Sequence, residues 1–89
     1  MISFINDRFK KSYKKLSKTE KELAQKQYKL FKENPYHPSL HFKRVHSNMP
    51  IYSARVDRNI RVIGVLKENS IVWFWIGNHS EYDKLLRNI

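Results

Sequence analysis

The spacing of the apolar residues changes once along this chain, across the segment Asn34 to Leu40, and that change dictates the class of fold. Before it, apolar side chains recur every three or four residues, the period of one helix face. After it come short runs rich in β-branched and aromatic residues, the period of strands. Helices followed by strands, with no alternation between them, describe an α+β domain in which a helical layer covers one face of a sheet. At 89 residues there is room for one core, so residues 1–89 read as a single domain. There is no repeat, no Gly/Ser linker and no low-complexity tract.

Residues 2–5 (Ile-Ser-Phe-Ile) suit a short strand. Asn6 or Asp7 can cap a first helix, in which Phe9, Tyr13 and Leu16 share a face. Ser17-Lys18 breaks it. Thr19 with Glu22 has the T-x-x-E spacing of a capping box, predicting a second helix whose Leu23, Ala24, Leu30 and Phe31 lie inward. It stops at Asn34-Pro35, because proline disfavours helical backbone in the residue before it. The pair reads as an antiparallel helical hairpin with one apolar face. After a loop at 36–39, four strands are predicted over 40–45, 51–56, 60–66 and 71–76, joined by short connections into an antiparallel meander. Leu85 and Leu86 belong to a short C-terminal helix.

The register of the central hairpin follows from its side chains. A three-residue loop at Asp57-Arg58-Asn59, with Asn59 left-handed, sets Val56 opposite Ile60, Ala54 opposite Val62 and Arg55 opposite Arg61. A slip by one residue would mix arginine with Ile60 and Val62, so the first register is chosen. It stands two guanidinium groups side by side on the face away from the helices, an unfavourable pairing unless an anion sits between them. A turn at Glu68-Asn69 then sets Gly64 opposite Trp73, Val62 opposite Trp75, Ile63 opposite Phe74 and Val65 opposite Val72. Glycine facing an indole leaves room for the ring. Both faces of the last two strands are apolar, so the second face needs a cover, from the terminal helix or from a partner.

Charge narrows the function. Eighteen Lys and Arg against eight Asp and Glu give +10, and residues 1–50 carry twelve of the basic groups against four acidic ones. Such a surface attracts polyanions and favours a nucleic-acid or other acidic partner. The lysines at 10, 11, 14, 15 and 18 form a solvated helix face that also suits RNA phosphate. The absence of cysteine excludes disulfides, thiolate zinc sites and cysteine nucleophiles, and fits a cytoplasmic protein. No apolar run approaches the roughly 20 residues of a membrane span, and Met1 to Phe9 has no leader pattern. His37, His41 and His46 have no carboxylate in metal-ligand spacing, so no metal and no cofactor are expected.

Three segments carry a resemblance. Asn34-Pro35-Tyr36-His37-Pro38-Ser39-Leu40 is similar to the loop after the second helix of the RelE/ParE superfamily of toxins from toxin–antitoxin modules. Ile51 to Val56 and Asn59 to Ile63 resemble its central hairpin. Ile76-Gly77-Asn78-His79-Ser80-Glu81-Tyr82-Asp83 resembles the G-x-H-x-x-Y closing segment of many members. The resemblance implies the RelE-like fold and a toxin that is monomeric alone, neutralised by a small acidic antitoxin that wraps it and brings it into oligomers. It implies one of two activities. RelE-like members are metal-free endoribonucleases that cut messenger RNA on the ribosome; ParE-like members poison DNA gyrase. The strand arginines with His79 and Tyr82 resemble the nuclease branch. An inert basic module that only binds antitoxin is the third alternative.

Metal-free RNA cleavage uses the ribose 2′-hydroxyl as nucleophile. It requires removal of a proton, stabilisation of the phosphorane and return of a proton to the leaving 5′-oxygen. Arg61, then Arg55, is expected to bind the phosphate, since a guanidinium offers a planar fork and stays charged. His79 is expected to move a proton. Tyr82 is expected to stack on a base or lend a hydroxyl, and Glu81 to cap a helix or act as a base. Lys43, Arg44, His46, Arg58, Lys14 and Lys15 are expected to bind RNA. One departure stands out. Some nuclease members carry an acidic base on the strand after the helical hairpin, whereas His41-Phe42-Lys43-Arg44-Val45-His46 has no carboxylate. His46 or His41 is left for that task, or Lys43 and Arg44 act electrostatically.

Overall fold

A computed structural model describes residues 1–89. Strand β1 (Ile2–Ile5) leads into helix α1 (Asp7–Lys14) and helix α2 (Lys18–Glu33). A single 3-10 turn (Pro38–Leu40) follows, then strands β2 (Lys43–Arg44), β3 (Ile51–Arg55), β4 (Ile60–Lys67) and β5 (Ser70–Asn78), and helix α3 (His79–Arg87). The strands form one sheet in the order β1-β5-β4-β3-β2. The meander is antiparallel as expected, and β1 joins its far edge in parallel with β5, so the sheet is mixed. The α+β architecture expected from the change of period is the one observed.

The local signals were read correctly in kind and displaced in detail. Asn6 caps α1, its Oδ1 accepting the Phe9 N–H at 2.9 Å. The box that opens α2 is Ser17 with Glu20, not Thr19 with Glu22. The Glu20 N–H donates to Ser17 Oγ at 3.1 Å, and the Ser17 N–H donates to Glu20 Oε1 at 2.8 Å. Both pairs have the same spacing; the earlier one lets the helix begin directly after Leu16, which packs against the core beside Ala24 and Ile76. The strand predicted over 40–45 shrinks to two residues. Leu40 is buried within the 3-10 turn, and His41 adopts left-handed backbone (φ 45°), which no strand tolerates.

The central hairpin has the predicted register, Ala54 opposite Val62 and Arg55 opposite Arg61. Its loop is built differently. Asn59 is not left-handed; instead Asp57 Oδ1 accepts the N–H groups of Asn59 and Ile60, both at 2.8 Å, so a side chain supplies the turn. Glu68 takes the left-handed position in the next turn (φ 56°). Gly64 faces Trp73 and Val65 faces Val72 as expected. Beyond Gly64 a bulge inserts Phe74, so Ile63 pairs with Trp75 and Val62 with Ile76, which corrects the expected Val62–Trp75 and Ile63–Phe74 partners. The bulge turns Ile76 toward the helices, where it packs with Ala24, Val56 and Ile60.

Two cores result. Helix α2 covers one face through Ala24 and Phe31, with Phe9 and Tyr13 of α1 packed alongside, against Ala54, Ile60, Ile71, Trp73 and Ile76. On the other face Tyr82, Leu85 and Leu86 of α3 cover Ile51, Ile63, Phe74 and Trp75, so the terminal helix supplies the cover that face required. Ser12 fastens α1 to the sheet: its Oγ accepts the Ile76 N–H at 3.1 Å and donates to the Phe9 carbonyl at 2.9 Å. No helix is long and apolar enough to cross a membrane.

Candidate active site

The face carrying α3 holds both arginines of the central hairpin. Arg55 on β3 pairs with Arg61 on β4, and Arg61 pairs with Gly77 on β5. Directly opposed residues share a face, so these three positions form a row across the sheet. Lys43 on β2 pairs with Ser53 and stands on the same face, one position along from Arg55. His79 follows Gly77 by two residues and is the first residue of α3. The row is cationic throughout, and neither arginine has a carboxylate partner: the two ion pairs of the molecule are Lys10 with Asp7 and His79 with Asp83.

The mutual repulsion of the arginines is partly relieved by the loop. Arg61 Nη1 donates to the Asp57 carbonyl and also lies 3.3 Å from the Ile60 carbonyl and 3.4 Å from that of Arg58. Its guanidinium is thereby held at the hairpin end with its other nitrogens free. Arg55 is half-buried and makes no hydrogen bond through its side chain. Of the pair, Arg55 is the less committed donor.

Tyr82 is buried, and its hydroxyl lies 3.1 Å from Ser53 Oγ, a buried side chain on the face of Arg55. Its hydroxyl is thus used within the fold. The tyrosine pins α3 onto β3, and its ring lies beside the imidazole of His79, tilted by 33° with centroids 5.8 Å apart. Asn78 caps α3 by accepting the Glu81 N–H at 2.8 Å, so Asn78 does the capping expected of Glu81. Lys43 and Arg44 are exposed but diverge. Arg44 pairs with Tyr52 on the helical face, and its Nε donates to the His46 carbonyl at 2.9 Å. His46 folds its own loop, Nδ1 accepting the N–H groups of Asn48 (3.1 Å) and Met49 (3.0 Å), and Arg58 lies at the exposed hairpin tip. Lys14 lies on the helical side of the sheet, and Lys15 borders the junction of β5 and α3. No three His, Asp or Glu side chains converge in metal-ligand geometry.

A second feature had no counterpart in the sequence reading. An apolar groove of about 570 Å³ opens between the two helices and the sheet. Phe9, Ala24, Phe31, Trp73 and Ile76 line it, and Lys10, Lys14 and Lys21 stand among its lining. Arg55, the last residue of β3, borders it too. The apolar pattern marks these residues as core, and Ala24, Phe31, Trp73 and Ile76 are buried.

A model of the ParE-like toxin domain matches residues 19–84, which include β2 to β5, α2 and most of α3. The chain belongs to the ParE-like toxin domain family. Solved toxins share its fold. The RelB–RelE antitoxin–toxin complex of Methanococcus jannaschii contains a chain that superimposes with a TM-score of 0.73 at 14% identity, over 91% of this chain and 96% of that one. YafQ of Escherichia coli gives 0.72 at 16% identity, over 90% and 94%. The isolated RelE toxin of E. coli gives 0.64 at 14% identity, over 99% and 98%. No curated protein matches the sequence. This chain therefore carries a ParE-like toxin domain and shares the fold of the solved RelE and YafQ structures, as its three sequence segments implied.

Proposed function

We propose that this toxin is a ribosome-dependent endoribonuclease that cuts messenger RNA and so arrests translation. One observation carries the reading: an unpaired guanidinium row, Arg55 and Arg61, lies on one sheet face with Lys43, and leads to His79 at the strand end. In this scheme the scissile phosphate lies on the row. Arg55, Arg61 and Lys43 neutralise charge on the phosphorane as the 2′-oxygen bonds to phosphorus. His79 in its protonated form gives its proton to the departing 5′-oxygen as the P–O5′ bond breaks. The 2′-hydroxyl proton passes to water, and His79 is reprotonated from solvent. The products are a 2′,3′-cyclic phosphate and a 5′-hydroxyl.

The partner is a small acidic antitoxin. The apolar groove with its lysines fits an amphipathic segment bearing carboxylates, and RelB bound to RelE is among the neighbouring structures. Its binding brings the otherwise monomeric toxin into oligomers. Expression without antitoxin, followed by primer extension on a reporter transcript, tests the activity. Cuts within the translated region are expected, and Arg55→Ala, Arg61→Ala and His79→Ala should relieve growth arrest while still binding antitoxin. Intact transcripts with accumulating DNA breaks would instead support gyrase poisoning, the reading that the match to a ParE-like family favours.

A further inference from the structure

The proposed site holds one carboxylate that its chemistry does not use. Asp83 Oδ2 lies 3.5 Å from His79 Nε2, one helical turn along α3, and both side chains are about half exposed (53% and 54%). No other cationic side chain pairs with Asp83. Arg87, the nearest recorded donor, reaches its backbone carbonyl and not its carboxylate. His79 in turn has no hydrogen bond to the backbone, whereas His37 and His46 each spend Nδ1 on backbone N–H groups. In those two residues the lone pair at Nδ1 is consumed and only Nε2–H is left to face outward. In His79 the pattern is reversed: Nε2 is the nitrogen that faces a carboxylate, at 3.5 Å.

Resting on the nuclease reading above, we infer that Asp83 is a positioning residue for His79. Its carboxylate holds the Nε2–H of the imidazole and makes Nδ1 the nitrogen that gives a proton to the departing 5′-oxygen. The carboxylate also offsets a specific penalty. An imidazolium in the first turn of α3 faces the positive end of the helix dipole, and a negative charge one turn on compensates for it. The ring is confined from a second side by its tilted contact with Tyr82, which the buried hydrogen bond to Ser53 holds in place. Tyr82 thus limits where the imidazole lies, and Asp83 selects which of its nitrogens is free. At 3.5 Å the pair is an ion-pair contact that has not closed to a hydrogen bond, and such contacts commonly tighten when substrate excludes water.

The test has two readouts on the intact toxin. Long-range nitrogen–proton spectra of the neutral imidazole report its tautomer without any need for activity. The parent should show His79 as the Nε2–H form. Asp83→Ala should show a mixture of both forms, and Asp83→Glu should restore the parental spectrum. Single-turnover cleavage of ribosome-bound transcript should fall about tenfold in Asp83→Ala at unchanged substrate affinity, part of the roughly 10²–10⁴-fold that positioned proton transfer contributes, and should recover in Asp83→Glu. An unchanged tautomer in Asp83→Ala overturns the inference, as does a changed tautomer with an undiminished rate. A parent toxin that leaves transcripts intact overturns the nuclease reading instead, and the proton-transfer role with it, whatever the spectra show.

Discussion

Two contacts deep in the fold decide what single residues here can do. Tyr82 and Ser53 share a buried hydrogen bond between residues 29 apart in sequence. Removing the hydroxyl leaves Ser53 Oγ without its partner, so Tyr82→Phe should cost about 1–2 kcal/mol. In urea denaturation the double variant Tyr82→Phe with Ser53→Ala should be more stable than Tyr82→Phe alone, because no orphaned polar group remains. Gly64 is a second such position. A Cβ there would stand 2.7 Å from Trp73 Cε3 and 2.9 Å from the Val72 carbonyl oxygen. The backbone atom cannot move aside as a flexible side chain would. Gly64→Ala should therefore destabilise by about 1–3 kcal/mol, the range of overpacked cores, as read from the same denaturation midpoints. The sequence exposed this second case, since a glycine facing an indole follows from the turn position. It did not expose the first, because nothing local links Tyr82 to Ser53.

At the scale of the element, short signals state that a helix or turn exists more securely than where it starts. Ser17-x-x-Glu20 and Thr19-x-x-Glu22 satisfy the same rule, and only the first is used. Ser17→Ala should cost about 1 kcal/mol, and Thr19→Ala should fall within a few tenths of the parent in a thermal melt. The attachment of α1 rests on Ser12, which satisfies the Ile76 N–H where β1 no longer covers the edge of β5. Ser12→Ala should speed amide exchange at Ile76 more than at residues inside the β4–β5 ladder. The bulge at Phe74 belongs to this scale too. Alternation of apolar side chains cannot reveal it in strands that are apolar on both faces, since a shift by one exchanges one apolar residue for another. That is why the expected pairs held at Gly64 and Val65 and failed beyond them.

The whole molecule is a polycation of net charge +10, with Arg61 and Lys43 on one sheet face, the lysine-edged groove on the other, and Arg55 at the border between them. This division predicts separable effects. Lys43→Glu should weaken binding to ribosomal or transcript RNA and lower the salt dependence of that binding by roughly one unit in the log–log slope, while leaving antitoxin capture intact. Lys21→Glu, at the lysine edge of the groove, should reduce capture of an acidic antitoxin and leave cleavage in place. Filter binding across a salt series and co-purification with antitoxin measure the two. Equal loss of both functions in either variant would mean that the two faces do not divide the work.

The amino-acid sequence by itself determined the class of fold, the order of its elements, the central hairpin register and the sign of the charge. These depend on local periodicity, on turn and capping chemistry, and on composition, all of which act over a few residues. It also named His79, Arg55 and Arg61 as the groups suited to phosphate chemistry. Only the tertiary structure decided which groups share a face and which atoms are already spent. Sheet order, the parallel addition of β1 and the Phe74 bulge set Arg61 beside Gly77 and fix Tyr82 on Ser53. Those outcomes arise from packing between distant segments, where many registers are compatible with the same apolar pattern. The close fit of one core selects among them.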